Sequence, residues 1–361
     1  SWAGLARDPD GNAIYVAYSD RVVALNPTSG AVQWEYKYEG AKFYAVPAID
    51  DGMLYIGDYS GRLHSLNLQD GSRNWLYEPE KENVIGPISL TADDRVISGV
   101  AFNDDKVFFG LGSQNVMAVS RETAQELWTF KTGHGVWAAP LYVHAREGDE
   151  NGRDTLYAVS LDHHLYAIDP DTGHELWKKN LGGAAPGNMV YDEQLNRLYI
   201  GTLTSELLAI DLDQRAILDR YDTEGWLWGS PALEVQEDGT EILYLGDLKG
   251  YLYAVEVTEG GFSQRWKMKV AEDAIRATPL LTDGKVIVGS KDKKVYAVSK
   301  EDGSSEWNDS TKGEALTELV LVPGADSEQN GGVVVLGTSE SEERIVAYNV
   351  ETGEVDWRYS D

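Results

Sequence analysis

The stretch LYAIDPDTGHELW, residues 165 to 177, decides the fold because close copies of it recur along the chain. VVALNPTSGAVQW ends at Trp34, LHSLNLQDGSRNW at Trp75 and IVAYNVETGEVDW at Trp357. A repeat array grows by adding units to one architecture. The length of 361 residues therefore does not by itself indicate several domains.

Aligned on the final tryptophan, eight copies fill the chain from end to end. Seven of them end in tryptophan, at Trp34, Trp75, Trp128, Trp177, Trp266, Trp307 and Trp357. The steps between these residues are 41, 53, 49, 89, 41 and 50. The step of 89 contains a degenerate copy, LLAIDLDQRAILD, with Asp219 at the tryptophan position.

Every copy has the same internal order, and that order predicts strands. A short apolar run closes on a small residue, a second run has a small central residue, and a D/N-x-x-x-G turn leads into the tryptophan strand. A fourth run, often opened by proline, lies upstream. Short runs rich in Val, Ile, Leu and Tyr between Gly, Asp and Asn are typical of strands. We predict one all-β domain over residues 1–361, an eight-bladed β-propeller of four-stranded antiparallel blades.

The turn and tryptophan signature resembles a known family. AIDPDTGHELW and ALNPTSGAVQW are similar to the quinoprotein-type (PQQ-like) propeller repeat, and the resemblance covers nearly the whole chain. It implies that the repeat tryptophans wedge between adjacent blades. In length and blade number the chain is most similar to the outer-membrane assembly lipoproteins of that family. This implies a non-catalytic, extracytoplasmic scaffold that binds other cell-envelope proteins, and a lipid anchor on a leader ahead of Ser1.

Two other functions stay open. The same repeat builds quinone-dependent dehydrogenases, but these are typically longer and often carry a disulfide of adjacent cysteines beside the quinone. Cysteine is absent here, so we expect no PQQ and no other cofactor. The third hypothesis is a ligand-sensing ectodomain cut from a larger membrane protein, which the start at Ser1 permits.

Charge and hydropathy exclude some classes of partner. The net charge is -29, from 60 acidic and 31 basic residues, which disfavours binding to nucleic acid and to anionic lipid. No run of eighteen apolar residues occurs, so no transmembrane segment is predicted.

The first candidate site is a ring of residues near the mouth of the central channel, three positions before the proline of each inner strand. An arginine beside aromatic faces could hold a carboxylate or a flat ligand. The simpler interpretation is that these residues fill the channel. The ring positions are Trp2, Tyr44, Ile97, Trp137, Gly183, Trp228, Arg276 and Thr317.

The second candidate is the longest insertion, residues 77–94, which is charged at both ends and apolar in the middle. Loops on a rigid scaffold commonly carry recognition, so we expect a partner contact there, centred on Val84, Ile85 and Ile88. The alternative is a solvated hairpin that folds over its own rim.

Acidic loops and one pair of histidines are weaker candidates for metal binding. Oxygen side chains at alternate positions before a glycine resemble the start of a calcium loop, but the terminal bidentate glutamate is missing. Calcium is therefore a minority interpretation at Glu147, Asp149, Asn151, Asp238, Asp326 and Asn330. Adjacent His163 and His164, after Asp162, would point to opposite faces of a strand and are better explained as loop residues.

Overall fold

The chain folds into eight four-stranded antiparallel sheets in which the strands follow chain order. The structure, a computed structural model, describes residues 4–79, 95–146, 152–324 and 331–360. The sheets are the blades of an eight-bladed β-propeller, which confirms the predicted fold class. Among the described residues, no helical segment is both long and apolar enough to cross a bilayer.

Blades two to four lie in one compact unit, Ala17–Ala24 with Gln33–Ala184. Blade two contains β5 (Ala48–Asp50), β6 (Met53–Gly57), β7 (Leu63–Asn67) and β8 (Arg73–Tyr77). Blade three contains β9 (Ala101–Phe102), β10 (Lys106–Gly110), β11 (Asn115–Ser120) and β12 (Glu126–Lys131). Blade four contains β13 (Leu141–Val143), β14 (Thr155–Val159), β15 (His164–Ile168) and β16 (Glu175–Asn180).

Blades five to eight lie in a second compact unit that includes Leu25–Val32 and Ala185–Asp361. Blade five contains β17 (Val190–Asp192), β18 (Arg197–Gly201), β19 (Glu206–Asp211) and β20 (Ala216–Asp222). Blade six contains β21 (Ala232–Val235), β22 (Glu241–Gly246), β23 (Tyr251–Thr258) and β24 (Gly261–Lys269). Blade seven contains β25 (Leu280–Leu281), β26 (Lys285–Ser290), β27 (Lys294–Ser299) and β28 (Ser305–Ser310). Blade eight contains β29 (Val320–Val322), β30 (Val333–Gly337), a short 3-10 helix (Ser341–Glu343), β31 (Ile345–Asn349) and β32 (Val355–Tyr359).

Blade one is built from residues of both units. It contains β1 (Gly4–Arg7), β2 (Ile14–Tyr18), β3 (Arg21–Leu25) and β4 (Val32–Lys37). Its second strand is buried at every position, as is β10 of blade three. The fourth strands, such as β12, are mostly exposed or half-buried along their length. Continuous apolar runs thus form the middle of each blade, and the most polar runs form its outer edge.

The small central residue of each third strand lies opposite the repeat tryptophan. Ser65 is in register with Trp75, Ala118 with Trp128, and Ala297 with Trp307, each beside a register shift. A side chain of one or no heavy atoms beyond Cβ leaves room for the indole ring against the strand. What the copies share at this position is a small side-chain volume and not a particular functional group.

Six of the repeat indoles donate a hydrogen bond to the next blade. The Trp34 Nε1 donates to the carbonyl oxygen of Leu68 at 2.9 Å, and that of Trp266 donates to Lys300 at 2.8 Å. The glycine of the receiving turn has a positive φ, +71° at Gly71, and lies against the ring. A Cβ at Gly71 would be 2.5 Å from Trp34, so the position requires glycine for both backbone conformation and space.

Blade five makes this junction differently. Asp219 is in register with Ala209, where the other blades have tryptophan, and its Oδ2 accepts a hydrogen bond from Phe262 N at 2.8 Å. Arg197 adds a second link, donating to the carbonyl oxygens of Thr258 and Glu259 at 2.8 and 2.7 Å. A polar link thus replaces the indole at this junction.

Candidate functional site

The ring positions are fixed by one backbone hydrogen bond that recurs between consecutive blades. In six blades, the residue before the ring position donates its N–H to a carbonyl near the end of strand two of the preceding blade. Val136 donates to Leu111 at 2.9 Å, Leu227 to Thr202 at 3.1 Å, and Ile275 to Asp247 at 3.0 Å. The side chains that follow these donors are Trp137, Trp228 and Arg276.

In the second unit, Trp228 and Arg276 form a stacked pair. The guanidinium carbon of Arg276 lies 5.1 Å from the centroid of the Trp228 ring. The Arg276 Nε is buried and has no hydrogen-bond partner among the described residues. Stacking on an aromatic face leaves the guanidinium edge able to donate hydrogen bonds to a carboxylate or a carbonyl oxygen.

Trp226 lies two residues before Trp228 and is 55% exposed. Leu227 between the two tryptophans is buried, whereas Trp226 is exposed and Trp228 is half-buried. The Trp226 backbone is held at the turn between β22 and β23, because Leu248 N donates to the Trp226 carbonyl at 3.0 Å. The buried carboxylate of Asp247 also accepts the N–H of Gly225 at 2.7 Å. Trp226 is thus a large aromatic side chain that is exposed on a backbone held by hydrogen bonds.

The first unit carries a similar cluster around Tyr44. The rings of Tyr44 and Tyr59 meet edge to face at 4.8 Å, and the guanidinium carbon of Arg95 lies 5.2 Å from the Tyr59 centroid. Trp137, the ring residue of blade four, is half-buried. Each unit therefore pairs an arginine with an aromatic ring at or next to a ring position.

Two of the predicted ring positions are wrong by register. Ala315 donates to Ser290 as Ile275 donates to Asp247, so Leu316 rather than Thr317 is the ring residue of blade eight. Thr317 is buried, and its hydroxyl accepts the Gly337 N–H at 2.8 Å. In blade five, Val190 pairs with Tyr199 as Leu280 pairs with Ile287, which puts Pro186 rather than Gly183 at the ring position. Neither blade has the inner-strand proline on which the alignment relied.

Several predicted residues lie outside the part of the chain that the structure describes. They are Trp2 of the ring, the insertion residues Val84, Ile85 and Ile88, and the acidic-loop residues Glu147, Asp149, Asn151, Asp326 and Asn330. The partner contact at the insertion and the calcium loops therefore stay predictions.

The described acidic-loop residue has a local role. Asp238 accepts the N–H of Thr240 at 2.9 Å, which closes its turn and lowers the pKa of Asp238. Within the described ranges, no group of three His, Asp or Glu side chains is placed to hold a metal ion.

The Asp162 carboxylate holds backbone N–H groups, including those of Gly133 and His164. The Asp162 carboxylate accepts the N–H of Gly133 at 2.6 Å and the hydroxyl of Tyr166 at 2.7 Å. Burial acts to raise the pKa of Asp162, but these hydrogen bonds lower it. His163 is exposed, with a φ of +73°. The carboxylate ties the chain entering blade four to the turn between β14 and β15.

An Asp–His pair that the sequence did not single out is sealed in blade two. His64 Nε2 lies 3.3 Å from Asp58 Oδ2, and the tyrosine hydroxyl of Tyr36 lies 3.1 Å from His64 Nδ1. His64 and Asp58 are both fully buried. Burial lowers the pKa of His64 although the carboxylate acts to raise it. The pair is thus part of the packed interior of blade two, where Arg62 Nε also donates to Asp58 at 2.6 Å.

A half-buried carboxylate lies two residues beyond the ring position of blade eight. Glu318 accepts hydrogen bonds from the N–H and hydroxyl of Thr278, both at 3.2 Å. Burial raises the pKa of Glu318 against the effect of these bonds. In the same register, the Ser230 hydroxyl accepts the Asn188 N–H at 2.9 Å. Polar contacts thus join the segments that precede the first strands of neighbouring blades, for blades five and six and for blades seven and eight.

Comparison with known proteins agrees with this architecture. The family model described as outer membrane protein assembly factor BamB matches residues 3–130, 91–222, 131–262 and 161–360. The BamB of Burkholderia pseudomallei is 24% identical over 301 residues, covering 80% of this chain and 71% of that protein. The crystal structure of BamB from Moraxella catarrhalis, 18% identical, superposes with a TM-score of 0.70 over 95% of this chain and 92% of that one.

A second group of relatives shares only part of the chain. The quinoprotein ethanol dehydrogenase of Pseudomonas aeruginosa is 29% identical over 177 residues, which is 45% of this chain and 26% of that enzyme. The chain thus spans about a quarter of the enzyme's length.

Proposed function

Because this chain belongs to the family of the outer membrane protein assembly factor BamB, we propose that it is a non-catalytic β-propeller scaffold that acts outside the cytoplasm in an assembly of envelope proteins. The rigid blades present contact residues, and the partner is another protein of the cell envelope.

The observation that carries the proposal is the group of residues Trp226, Trp228 and Arg276. It combines an exposed indole, a stacked arginine and a backbone fixed by hydrogen bonds. Tryptophan and arginine are the residues that most often dominate binding energy at protein interfaces. A preformed surface also loses little conformational freedom on binding.

A photo-crosslinking amino acid at position 226 tests this docking surface. In cell envelopes we expect one adduct of defined mass, containing an outer-membrane assembly protein, that disappears when Arg276→Ala is added. Position 268 is the matched control, because Met268 is 41% exposed in the same unit but lies on the outer strand β24. Identical adducts at both positions, or none at position 226, would contradict the proposal.

Quinone-dependent oxidation is the second candidate, favoured by the partial identity to an ethanol dehydrogenase. Trp228 and Arg276 could bind a flat anion such as the quinone. Among the described residues, however, no three acidic side chains are grouped to hold the calcium ion. Added PQQ and calcium chloride should therefore leave the visible spectrum and the Tm unchanged. A saturable rise in Tm that Arg276→Ala abolishes would favour the enzyme instead.

A further inference from the structure

Blade six differs from the other blades in the charge of its fourth strand. The positions one and three after the repeat tryptophan hold two lysines in blade six, Lys267 and Lys269, and at most one lysine or arginine in each other copy. In the antiparallel register Lys267 lies opposite Tyr253 and Lys269 opposite Tyr251, so both side chains leave the same face of the sheet. The two Nζ atoms lie 5.9 and 5.4 Å from the centroid of the Tyr251 ring.

A third lysine comes from the turn between β22 and β23 of the same blade. The Lys269 Nζ donates to the Lys249 carbonyl oxygen, which places this turn beside the strand. The buried Asp247 carboxylate fixes the turn, because it accepts the N–H groups of Lys249 and Tyr251 at 2.8 and 3.0 Å. Lys249, Lys267 and Lys269 are all exposed and, with Tyr251, make up what we call the lysine face.

Few carboxylates balance the lysine face. Among the described residues, the only ion pair of the three lysines joins Lys267 to Glu224 at 2.8 Å, and it is exposed to solvent, which weakens it. Asp247 is buried under the turn. The next acidic residue, Glu272, lies at blade seven, where its N–H donates to Asp292 at 2.8 Å. Three ammonium groups thus share a single paired carboxylate, in a chain with 60 acidic and 31 basic residues.

The segment that carries Trp226 packs against the turn of the lysine face. Leu248 N donates to the Trp226 carbonyl at 3.0 Å, and a Cβ at Gly225 would lie 2.9 Å from Lys249 N. Packing this close favours glycine at position 225 and holds the two segments in one arrangement. The exposed indole therefore lies beside the lysine face, and one bound segment can reach both.

We propose that the lysine face binds an acidic segment of a partner protein, with carboxylates on adjacent or alternate residues and an apolar side chain that contacts Trp226. The carboxylates would accept charge-assisted hydrogen bonds from the three lysines, and one of them would take the place of Glu224 at Lys267. The inference rests on the proposed function in one respect, because the partner is the protein that contacts Trp226.

The charge of the whole molecule favours a short protein segment over a membrane. An anionic bilayer extends past the lysine face and would meet the remaining acidic surface of a chain with a net charge of -29. A short segment responds mainly to charges within about 10 Å, because salt screens those farther away. Local complementarity therefore decides the binding of a segment, whereas net charge decides the binding of a bilayer.

The test uses the full chain and two labelled peptides, acetyl-Gly-Asp-Glu-Leu-Asp-Glu-Gly amide and the same peptide with Asn for Asp and Gln for Glu. Fluorescence anisotropy measures binding at low ionic strength. The amide peptide should bind more weakly by about tenfold or more, because charge-assisted hydrogen bonds are lost. The double variant Lys267→Gln, Lys269→Gln should weaken binding of the acidic peptide to a similar extent. It should leave the Tm unchanged, since both side chains are exposed.

The double variant Lys178→Gln, Lys179→Gln is the matched control, because it removes the same charge from β16, the fourth strand of blade four. It should leave peptide binding unchanged. Equal weakening by the two double variants would show only an effect of net charge and would overturn the proposal, as would equal binding of the two peptides. Binding to phosphatidylglycerol vesicles that is lost when Lys267 and Lys269 are replaced would overturn the protein partner in favour of a lipid.

Crosslinking from position 226 separates this inference from the proposed function. We expect the yield of the adduct to fall when Lys267 and Lys269 are replaced. An unchanged yield would keep the scaffold and overturn the lysine face. No adduct in either chain would contradict the scaffold, while the peptide measurement would still decide whether the lysine face binds acidic segments.

Discussion

At the scale of single residues, the most unusual electrostatics lie at the junction that has no tryptophan. Glu241 is 4% exposed beside Asp192, and neither oxygen of Glu241 receives a hydrogen bond from a described donor. Tyr199 donates to Asp192 at 2.8 Å, and the nearby Arg197 guanidinium is engaged by backbone carbonyls. Burial, then the neighbouring Asp192 carboxylate, raise the pKa of Glu241 to about 7.

The raised pKa of Glu241 means that this group favours the folded state less at high pH than at low pH. The folded protein holds a proton that the unfolded chain releases between the ordinary value of 4.5 and about 7. The contribution of Glu241 to the free energy of unfolding therefore decreases as pH rises through this interval and is constant above it. Glu241→Gln should raise stability at pH 8 by roughly 1–3 kcal/mol and change it little at pH 4.

Urea unfolding of the wild type and Glu241→Gln across this pH interval checks the prediction. Glu237→Gln, an exposed residue of the adjacent turn, controls for the change in net charge. If the two variants shift stability equally at pH 8, the buried carboxylate is not the cause.

At the scale of elements, the repeat tryptophan is the side chain that joins one blade to the next. Trp266 is 7% exposed, packs in the core of blades six and seven, and donates to Lys300 at 2.8 Å. Its two contributions can be separated, because phenylalanine keeps much of the ring and loses the N–H.

Trp266→Phe should destabilise the protein by about 1–3 kcal/mol, since the Lys300 carbonyl loses its donor. Trp266→Ala should cost about 3–5 kcal/mol, because it also leaves a cavity. Chemical denaturation measures both. Trp226→Ala removes an exposed indole and should cost less than about 0.5 kcal/mol. A comparable loss at position 226 would show that exposure does not separate docking tryptophans from junction tryptophans.

The elements were readable from the sequence because the repeat averages over eight copies, and a strand that is ambiguous in one copy is clear in the others. The ring residues were read in the correct register where a proline fixed it, as at Arg276, and also at Ile97 without one. Blade eight has Leu319 where blade seven has Pro279, and the prediction slipped by one residue. Trp226 was missed because it lies outside the repeat, and Asp58–His64 was missed because burial cannot be read from a turn.

The first position of strand two shows the same limit of reading from aligned copies. Aligned copies put Met53, Lys106 and Lys285 at one position. Only the structure shows that the cation at this position reaches the turn of the next blade. A difference between copies thus acquires meaning once the contact made by the other copies is known.

At the scale of the whole molecule, no strand is exchanged between the chain termini in the described residues. β1 pairs within blade one, and β29 to β32 form blade eight. Side chains close the junction instead. Trp357 Nε1 donates to the Pro27 carbonyl at 3.0 Å, and Arg7 Nη1 donates to the Leu321 carbonyl at 3.4 Å. The Trp357 contact joins residues 330 positions apart, so it must be made against a large loss of chain entropy.

This junction should therefore open before the others when its indole is removed. In Trp357→Ala we expect faster amide exchange in residues 25–32 and 333–359, while peptides from 106–131 keep the exchange rate of the wild type. Trp128→Ala, which removes the equivalent indole between blades three and four, is the matched control. It should speed exchange around residues 116–131 and 165–180, because its partners are near in sequence and stay close when the contact opens.

Hydrogen exchange with mass spectrometry measures both variants, and the same exchange pattern in each would mean that closure is not a separate weak point. A larger loss of stability in Trp357→Ala than in Trp128→Ala would show that the propeller depends on this last indole to hold together the two ends of its chain.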